Sequence, residues 1–494
     1  MLFEAAELGR KVSKDEFQRL VPDLVTRLLA AQRALRGSNA PVIVIVSGVE
    51  GAGKGEVVNR LNQWLDARGV RTYAFWDESD EERERPRFWR FWRALPPRGT
   101  VGVMFGSWYS SPIIERAYDE IDDAAFDRHL ARIAGFERML TRDGALIVKL
   151  WFHLSKKAQR KRLRSDAKEG RKTLDVSPLT RKFSKRYDDF AAAAERAILK
   201  TDTGDCPWYV IEAEDRRYRD LSAGETLLQA VQRHLERGEA GPEAPPAESR
   251  APELPGASLT ILDKVDLSQS LDEETYEREL AALQERLYRL AWKAWESRRN
   301  AVAVFEGWDA AGKGGAIRRV TRAVDARLYR VIQTAAPSDE ERAHHYLWRF
   351  WRQLPRGGHF SLYDRSWYGR VLVERVEGFA TAAEWMSAYE EINDFEEQLC
   401  EHGMAVMKFW LHISQDEQMR RFREREATPW KAHKITEEDW RNRARWAEYE
   451  AAANDMVART STSHAPWTLV AGDDKRFGRV QVLRTFCERL EAVL

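Results

Sequence analysis

One long-period repeat limits what this chain can fold into. Residues 48–55, Gly-Val-Glu-Gly-Ala-Gly-Lys-Gly, return at 307–314 as Gly-Trp-Asp-Ala-Ala-Gly-Lys-Gly. Lys54 and Lys313 stand 259 positions apart. The same offset carries Trp89, Trp92 and Leu95-Pro96 onto Trp348, Trp351 and Leu354-Pro355, and Ser107-Trp108-Tyr109 onto Ser366-Trp367-Tyr368. It also carries Lys149, His153 and Trp208 onto Lys408, His412 and Trp467. A period this long marks a duplicated domain, not a solenoid. A chain of 494 residues has room for both copies. The first copy is read as 1–237 and the second as 259–494. Residues 238–258, rich in Pro, Ala, Glu and Gly, have too few large apolar side chains for a core and read as a linker.

Each copy alternates apolar runs with helical spacing. In the first, strands are expected at 41–46, 72–75, 101–105, 145–150 and 208–211. Helices are expected over 17–31, 55–67, 80–93, 112–142, 156–200 and 221–237. In the second, strands are expected at 302–305, 359–363, 405–411 and 467–470. Its helices are expected around 280–290, 339–353 and 415–459. The run Pro41-Val-Ile-Val-Ile-Val46 is apolar without alternation, as a strand covered on both faces should be. The fold class is therefore α/β: two tandem P-loop kinase-like domains, each a parallel sheet sandwiched between helices.

The repeated loop carries the chemistry. Gly307, Gly312 and Lys313 fit the phosphate-loop spacing G-x-x-x-x-G-K between a strand and a helix. Such a loop turns the backbone N–H groups of residues such as Ala310, Ala311, Gly312 and Gly314 inward, and the lysine adds positive charge. The helix behind it adds the positive end of its dipole. The hydroxyl residue that usually follows the lysine and holds Mg²⁺ is replaced by Gly314. A metal would then need other oxygens, and Asp309 and Asp364 are the candidates. Asp364 follows a strand, where ligands gather in this sheet class. Arg365 and Arg370 share its segment, and guanidinium forks suit phosphate oxygens. A second basic element contains Arg420, Arg421, Arg423, Arg425, Lys431, Lys434, Arg441, Arg443 and Arg445. It reads either as a solvated helix face paired with Glu424 and Glu426 or as a helical lid whose arginines close over an anion. The paired tryptophans Trp89, Trp92, Trp348 and Trp351 read as core.

Charge narrows the function classes. Lys and Arg number 80 against 79 Asp and Glu, for a net charge of +1. No polyanion-binding field covers the whole chain, so an anion site must be a local cluster, and nucleic acid is not an expected partner. Cys206, Cys400 and Cys487 lie far apart, without zinc or disulfide spacing, which points to a reducing compartment. No apolar run approaches a membrane span, and the first residues carry acids where a secretion signal needs bases. A cytoplasmic protein without membrane contact is expected.

The segments GWDAAGKGG, WRFWRQLP, DRSWYGR, KFWLHIS and APWTLVAGDDKRFGR resemble the type-2 polyphosphate kinase family. The resemblance covers nearly all of 274–494 and, more weakly, 15–220. The tandem arrangement is similar to the subgroup that transfers phosphate from inorganic polyphosphate to AMP, giving ADP. It implies that Lys313 contacts phosphates, that Asp309 and Asp364 bind Mg²⁺, and that Arg365 and Arg370 hold phosphate groups. It further implies that Glu374 lies near metal and acceptor, that Arg425 and Lys431 grip the phosphate chain, and that the protein is a homo-oligomer. Two other readings remain: a P-loop kinase with ATP as donor, and a non-catalytic anion or nucleic-acid binder.

The copies differ where this chemistry sits. Asp364, Arg365, Arg370 and Arg425 correspond to Phe105, Gly106, Ser111 and Asp166, and Asp309 corresponds to Glu50. Lys54, Glu115 and Lys172 are kept. One transition-state arginine alone is worth about 10³–10⁵ in rate. The first copy is therefore expected to be catalytically silent.

Overall fold

The computed structural model describes residues 2–168, 186–239, 260–429 and 435–494. It divides into two compact units. The first contains Met1–Glu78, Arg90–Ala244 and Asp339–His345. The second contains Ser79–Trp89, Pro245–Ser338 and Tyr346–Leu494.

In the first unit five strands form one sheet: β1 (Val42–Gly48), β2 (Val70–Ala74), β3 (Val101–Phe105), β4 (Leu146–His153) and β5 (Trp208–Glu212). Their order is β2-β3-β1-β4-β5, and every neighbouring pair is parallel. The second unit repeats this with β6 (Ala301–Gly307), β7 (Tyr329–Gln333), β8 (Phe360–Asp364), β9 (Ala405–His412) and β10 (Trp467–Ala471), in the order β10-β9-β6-β8-β7. The loop-bearing strands β1 and β6 are central and almost wholly buried, which is why their apolar runs do not alternate. The α/β class with parallel sheets is the one the sequence implies. Strand β7 is the one the periodicity misses. It lies at the sheet edge, Arg330 and Gln333 interrupt its short apolar run, and none of its five residues is buried.

Several long helical stretches are broken. The stretch at 80–93 becomes Asp80–Arg83 and Trp89–Arg93. Pro86 lies between them, lacks an N–H and disfavours a helical residue before it. The stretch at 112–142 becomes Ser110–Ala117 and Asp123–Arg142, with Asp119 at φ +59° in the break. The stretch at 415–459 becomes Gln415–Glu426, Glu437–Ala444 and Trp446–Thr460. Trp89, Trp92, Trp348 and Trp351 are all buried, as core residues should be.

The compact units also differ from two continuous halves. The second unit includes Ser79–Trp89, where Glu84 pairs with Arg298 and its carbonyl accepts from Asn300 Nδ2 at 3.2 Å. The first includes Asp339–His345, where Ala343 O accepts from Arg98 N at 2.8 Å and His345 lies against Trp92. The two segments share the sequence Asp-Glu-Glu-Arg, so each offers its host the same groups.

Candidate active site

Strand β6 ends at Gly307, whose φ is +139°. A Cβ there would lie 2.4 Å from Leu411 O on β9, so the chain can leave the sheet this way only at a glycine. The loop then closes on itself, with Ala311 N donating to Trp308 O at 3.0 Å. Gly312, at φ +111°, starts the helix Lys313–Thr321. Lys313 Nζ donates to Gly307 O at 2.7 Å and Trp308 O at 3.2 Å. Its ammonium therefore sits on the loop it belongs to.

The loop is strapped from behind. Arg421 is 2 % exposed. One amino group donates to Ala310 O at 3.0 Å and Ala311 O at 2.8 Å, and the other to Gly472 O at 2.5 Å and Asp473 O at 3.1 Å. Its Nε meets Glu417 Oε1 at 2.5 Å. Gln418 Nε2 donates to Asp309 O at 3.1 Å. Arg421 is thus neither a solvated helix cation nor a lid arginine. Sequence spacing placed it among exposed cations because a guanidinium that ties backbone carbonyls has no partner pattern to read.

The carboxylates converge beside the lysine. Asp309 accepts from Arg365 Nη2 at 3.1 Å and from Asn442 Nδ2 at 2.9 Å. Asp364 closes β8 in register with Phe305 of β6. Arg365 follows at φ +63° and feels the charges of Asp309, Glu306, Glu438 and Asp364. A non-glycine residue in this left-handed region costs about 1–3 kcal/mol and persists where its surroundings fix it. Here its N–H donates to Phe305 O at 3.2 Å. Glu306 was not singled out from the sequence. It is 5 % exposed and accepts from Ser366 Oγ at 2.8 Å. Burial pushes its carboxyl above the ordinary range, against the pull of Lys313 and the Ser366 hydrogen bond. Its counterpart is Ser47, so it changes between the copies together with Asp364 and Arg365. That joint change was the available signal. Gln418 and Arg421 are matched by Gln159 and Arg162, which is why the repeat comparison passed over them.

Arg370 and Glu374 form a second cluster along the same segment. Their charged groups approach to 3.2 Å, Glu384 lies 3.8 Å from Arg370, and the guanidinium covers the Tyr346 ring at 4.5 Å. Burial, with Arg370 opposing it, holds the Glu374 carboxyl above its usual range. The helix Glu437–Ala444 also reaches the loop region: Asn442 holds Asp309, and Glu438 lies 3.8 Å from Arg365.

Beside the loop lies a cavity of about 180 Å³. Gly312, Gly315 and Gly478 line it, together with the cations Arg421, Arg425, Lys475 and Arg479 and one acid, Glu424. Among the described residues no aromatic side chain lines it. Gly314 is exposed at the start of the helix. Lys431 and Lys434 of the second copy and Lys172 of the first lie outside the described residues.

The first unit has the same loop with other partners. Lys54 Nζ donates to Gly48 O at 3.0 Å and Val49 O at 3.2 Å, as Lys313 does, but also to Glu50 Oε2 at 3.3 Å. Gly106 stands where Arg365 would draw the acid away from the lysine.

Known proteins share this arrangement over the whole chain. The polyphosphate:AMP phosphotransferase of Pseudomonas aeruginosa is 50% identical over 492 residues, 99% of each chain. That of Pseudomonas syringae pv. tomato is 47% identical over 492 residues, covering 99% of this chain and 98% of its own. A crystal structure of a polyphosphate kinase 2 from Pseudomonas aeruginosa PA01 superposes with a TM-score of 0.89 at 49% identity, covering 99% of both chains. The model of the family Polyphosphate kinase 2 (PPK2) matches twice, at residues 11–238 and 270–493. With both halves matched and full-length relatives at this identity, the chain belongs to the polyphosphate kinase 2 family.

Proposed function

We propose that this chain transfers a phosphoryl group from inorganic polyphosphate to AMP, giving ADP, and that the second unit carries the reaction. The full-length relatives named for that reaction support the activity. The observation that carries the choice of donor is the cavity beside the second loop. Besides Arg421, which straps the loop, its lining offers three cations, Arg425, Lys475 and Arg479, and four glycine surfaces, and among the described residues no ring on which a base could stack. A donor made only of phosphate needs guanidinium and ammonium groups, and a nucleotide donor needs more.

Lys313 exchanges its loop carbonyls for donor oxygens, and the loop N–H groups hold the same phosphate. Arg365 and Arg370 neutralise the group in transfer, Arg425 and Lys431 hold the chain, and Glu374 sits by the acceptor. The attacking atom of AMP is an already ionised phosphate oxygen. Positioning and charge neutralisation therefore matter more than a general base.

A divalent cation, Mg²⁺, fits the donor set. Asp309 and Asp364 both act on Arg365, so their charges share one neighbourhood, and carboxylate oxygens suit a hard cation. Among the described residues no cage of three or more ligating side chains forms, which leaves coordination places for phosphate and water. Held by Asp309 and Asp364, the cation would supply charge neutralisation for the phosphate oxygens. We also place the protein in the cytoplasm. Among the described residues no helix is long and apolar enough to cross a membrane, and the three cysteines are free thiols.

A donor–acceptor matrix tests the reading: polyphosphate or ATP against AMP, ADP, GMP and GDP, with Mg²⁺. ADP formed from polyphosphate and AMP is expected. Phosphorylation driven by ATP, with none from polyphosphate, would overturn it.

A further inference from the structure

The same position beside the two loops holds different things. In the second unit it is the cavity edged by Gly312, Gly315, Gly478 and Arg479. The matching residues of the first unit are Gly53, Glu56, Arg219 and Asp220. Three of these four positions carry a bulkier or oppositely charged side chain, and the side chains meet. Arg219 is 1 % exposed. It donates to the loop carbonyl Ala52 O at 3.1 Å, to Glu56 Oε2 at 2.9 Å and to Asp220 Oδ1 at 2.7 Å. Arg60 and Arg216 close the cluster, at 3.3 Å from Asp220 and 3.7 Å from Glu56. The space beside Gly53 is taken outright: a Cβ built there falls 1.7 Å from Arg219 Nη1. Beside Gly312 the nearest atom to such a Cβ is Arg421 Nη1, at 3.8 Å.

We infer that the first unit is a self-occluded copy of the phosphate site: the Arg219 guanidinium, held by Glu56 and Asp220, fills the place that admits a phosphate chain in the second unit, so the protein has one open anion loop and not two. The inference rests on the donor reading above for what enters the open cavity. It goes beyond the loss of Asp364 and Arg365 counterparts, which removes catalysis but would still permit binding. The loop itself is intact. Arg162 straps it through Gly51 O and Ala213 O, both at 3.3 Å, and Glu214 O at 2.8 Å, as Arg421 straps the other. The obstruction is one side chain and its two carboxylate partners. The Arg219 guanidinium is buried and paired with both acids, and an incoming anion would have to displace it from them.

The test uses the full chain and tripolyphosphate as probe, with amide hydrogen exchange read separately over 51–57 and 310–316. In the wild type, tripolyphosphate is expected to slow exchange at 310–316 and leave 51–57 unchanged, with one probe bound per chain. The triple variant Glu56→Gly, Arg219→Gly, Asp220→Arg is expected to gain protection at 51–57 and bind a second probe. Protection of 51–57 in the wild type would overturn the occlusion, whether or not the variant folds. So would a folded triple variant that still binds one. Failure to protect 310–316 strikes at the donor reading instead, so the two can fail separately.

Discussion

Arg421 and Arg425 lie four residues apart on one helix and do different work. Arg421 satisfies four loop carbonyls, so Arg421→Ala leaves them without that donor, while Glu417 keeps its pair with Arg420. Removing one partner from such a buried set costs about 3–5 kcal/mol. Thermal denaturation should show a lowered melting temperature for Arg421→Ala. Arg425→Ala should stay within about 0.5 kcal/mol of wild type, the ordinary range for a surface change, while losing turnover on polyphosphate. Glu306 gives a pH-dependent case. Its carboxyl has an ordinary value of 4.5, and burial raises it in the folded chain. The unfolded chain therefore ionises first. The site's contribution to stability is complete below the unfolded value and is lost as pH rises through the folded one. Glu306→Gln removes the charge and can still accept from Ser366. Its gain in melting temperature over wild type should be larger at pH 8 than at pH 5. An equal gain at both would contradict the assignment. The loop glycines, Lys313 and Asp309 were legible in sequence as candidates because their spacing follows from the loop itself, and Asp364 and Arg365 because they follow a strand end. Asn442 and Arg421 were not, because they reach the loop from separate helices, and Glu306, on β6 itself, shows only in its replacement by Ser47 in the other copy.

At the scale of elements, both sheets stand on the same buried pillar. Lys408 on β9 donates to Glu396 at 2.7 Å, to Tyr368 Oη at 2.9 Å and to Thr460 O at 2.6 Å. Trp367 Nε1 donates to the same glutamate at 3.1 Å. Lys149 repeats the set with Glu137, Tyr109 and Thr201 at 2.7, 3.2 and 2.7 Å. Because the copies share it whatever their catalytic residues, it is a structural device. In the second unit it fixes Trp367 and Tyr368, directly behind Asp364 and Arg365. Lys408→Met strands a buried glutamate and should cost about 3–5 kcal/mol in a denaturant titration. Lys149→Met should cost a similar amount, and a difference of more than twofold would mean that the pillars are not equivalent. The strands with buried, unalternating runs were legible, and the repeat register would have supplied β7. The helix breaks followed Pro86 where a proline existed. At 119 the left-handed Asp119 ends the turn without any such residue to announce it.

At the scale of the molecule, one duplicated domain has kept its sheet, pillar and strapped loop twice, while Glu306, Asp364 and Arg365 occur once. The repeat served as an internal control: both copies keep the loop lysine along with the scaffold, and of what only the second has, Glu306, Asp364 and Arg365 cluster near Lys313. The silence expected of the first copy from its missing aspartate and arginines is joined in the structure by Lys54 paired to Glu50 and by Arg219 beside the loop. A direct measurement is ADP formation from polyphosphate and AMP by Lys313→Ala and by Lys54→Ala, each checked for folding. The second-unit account predicts a loss on the order of 10²-fold or more, about 3 kcal/mol, for Lys313→Ala and a rate within about twofold of wild type for Lys54→Ala. An active Lys313→Ala beside an inactive Lys54→Ala would contradict it.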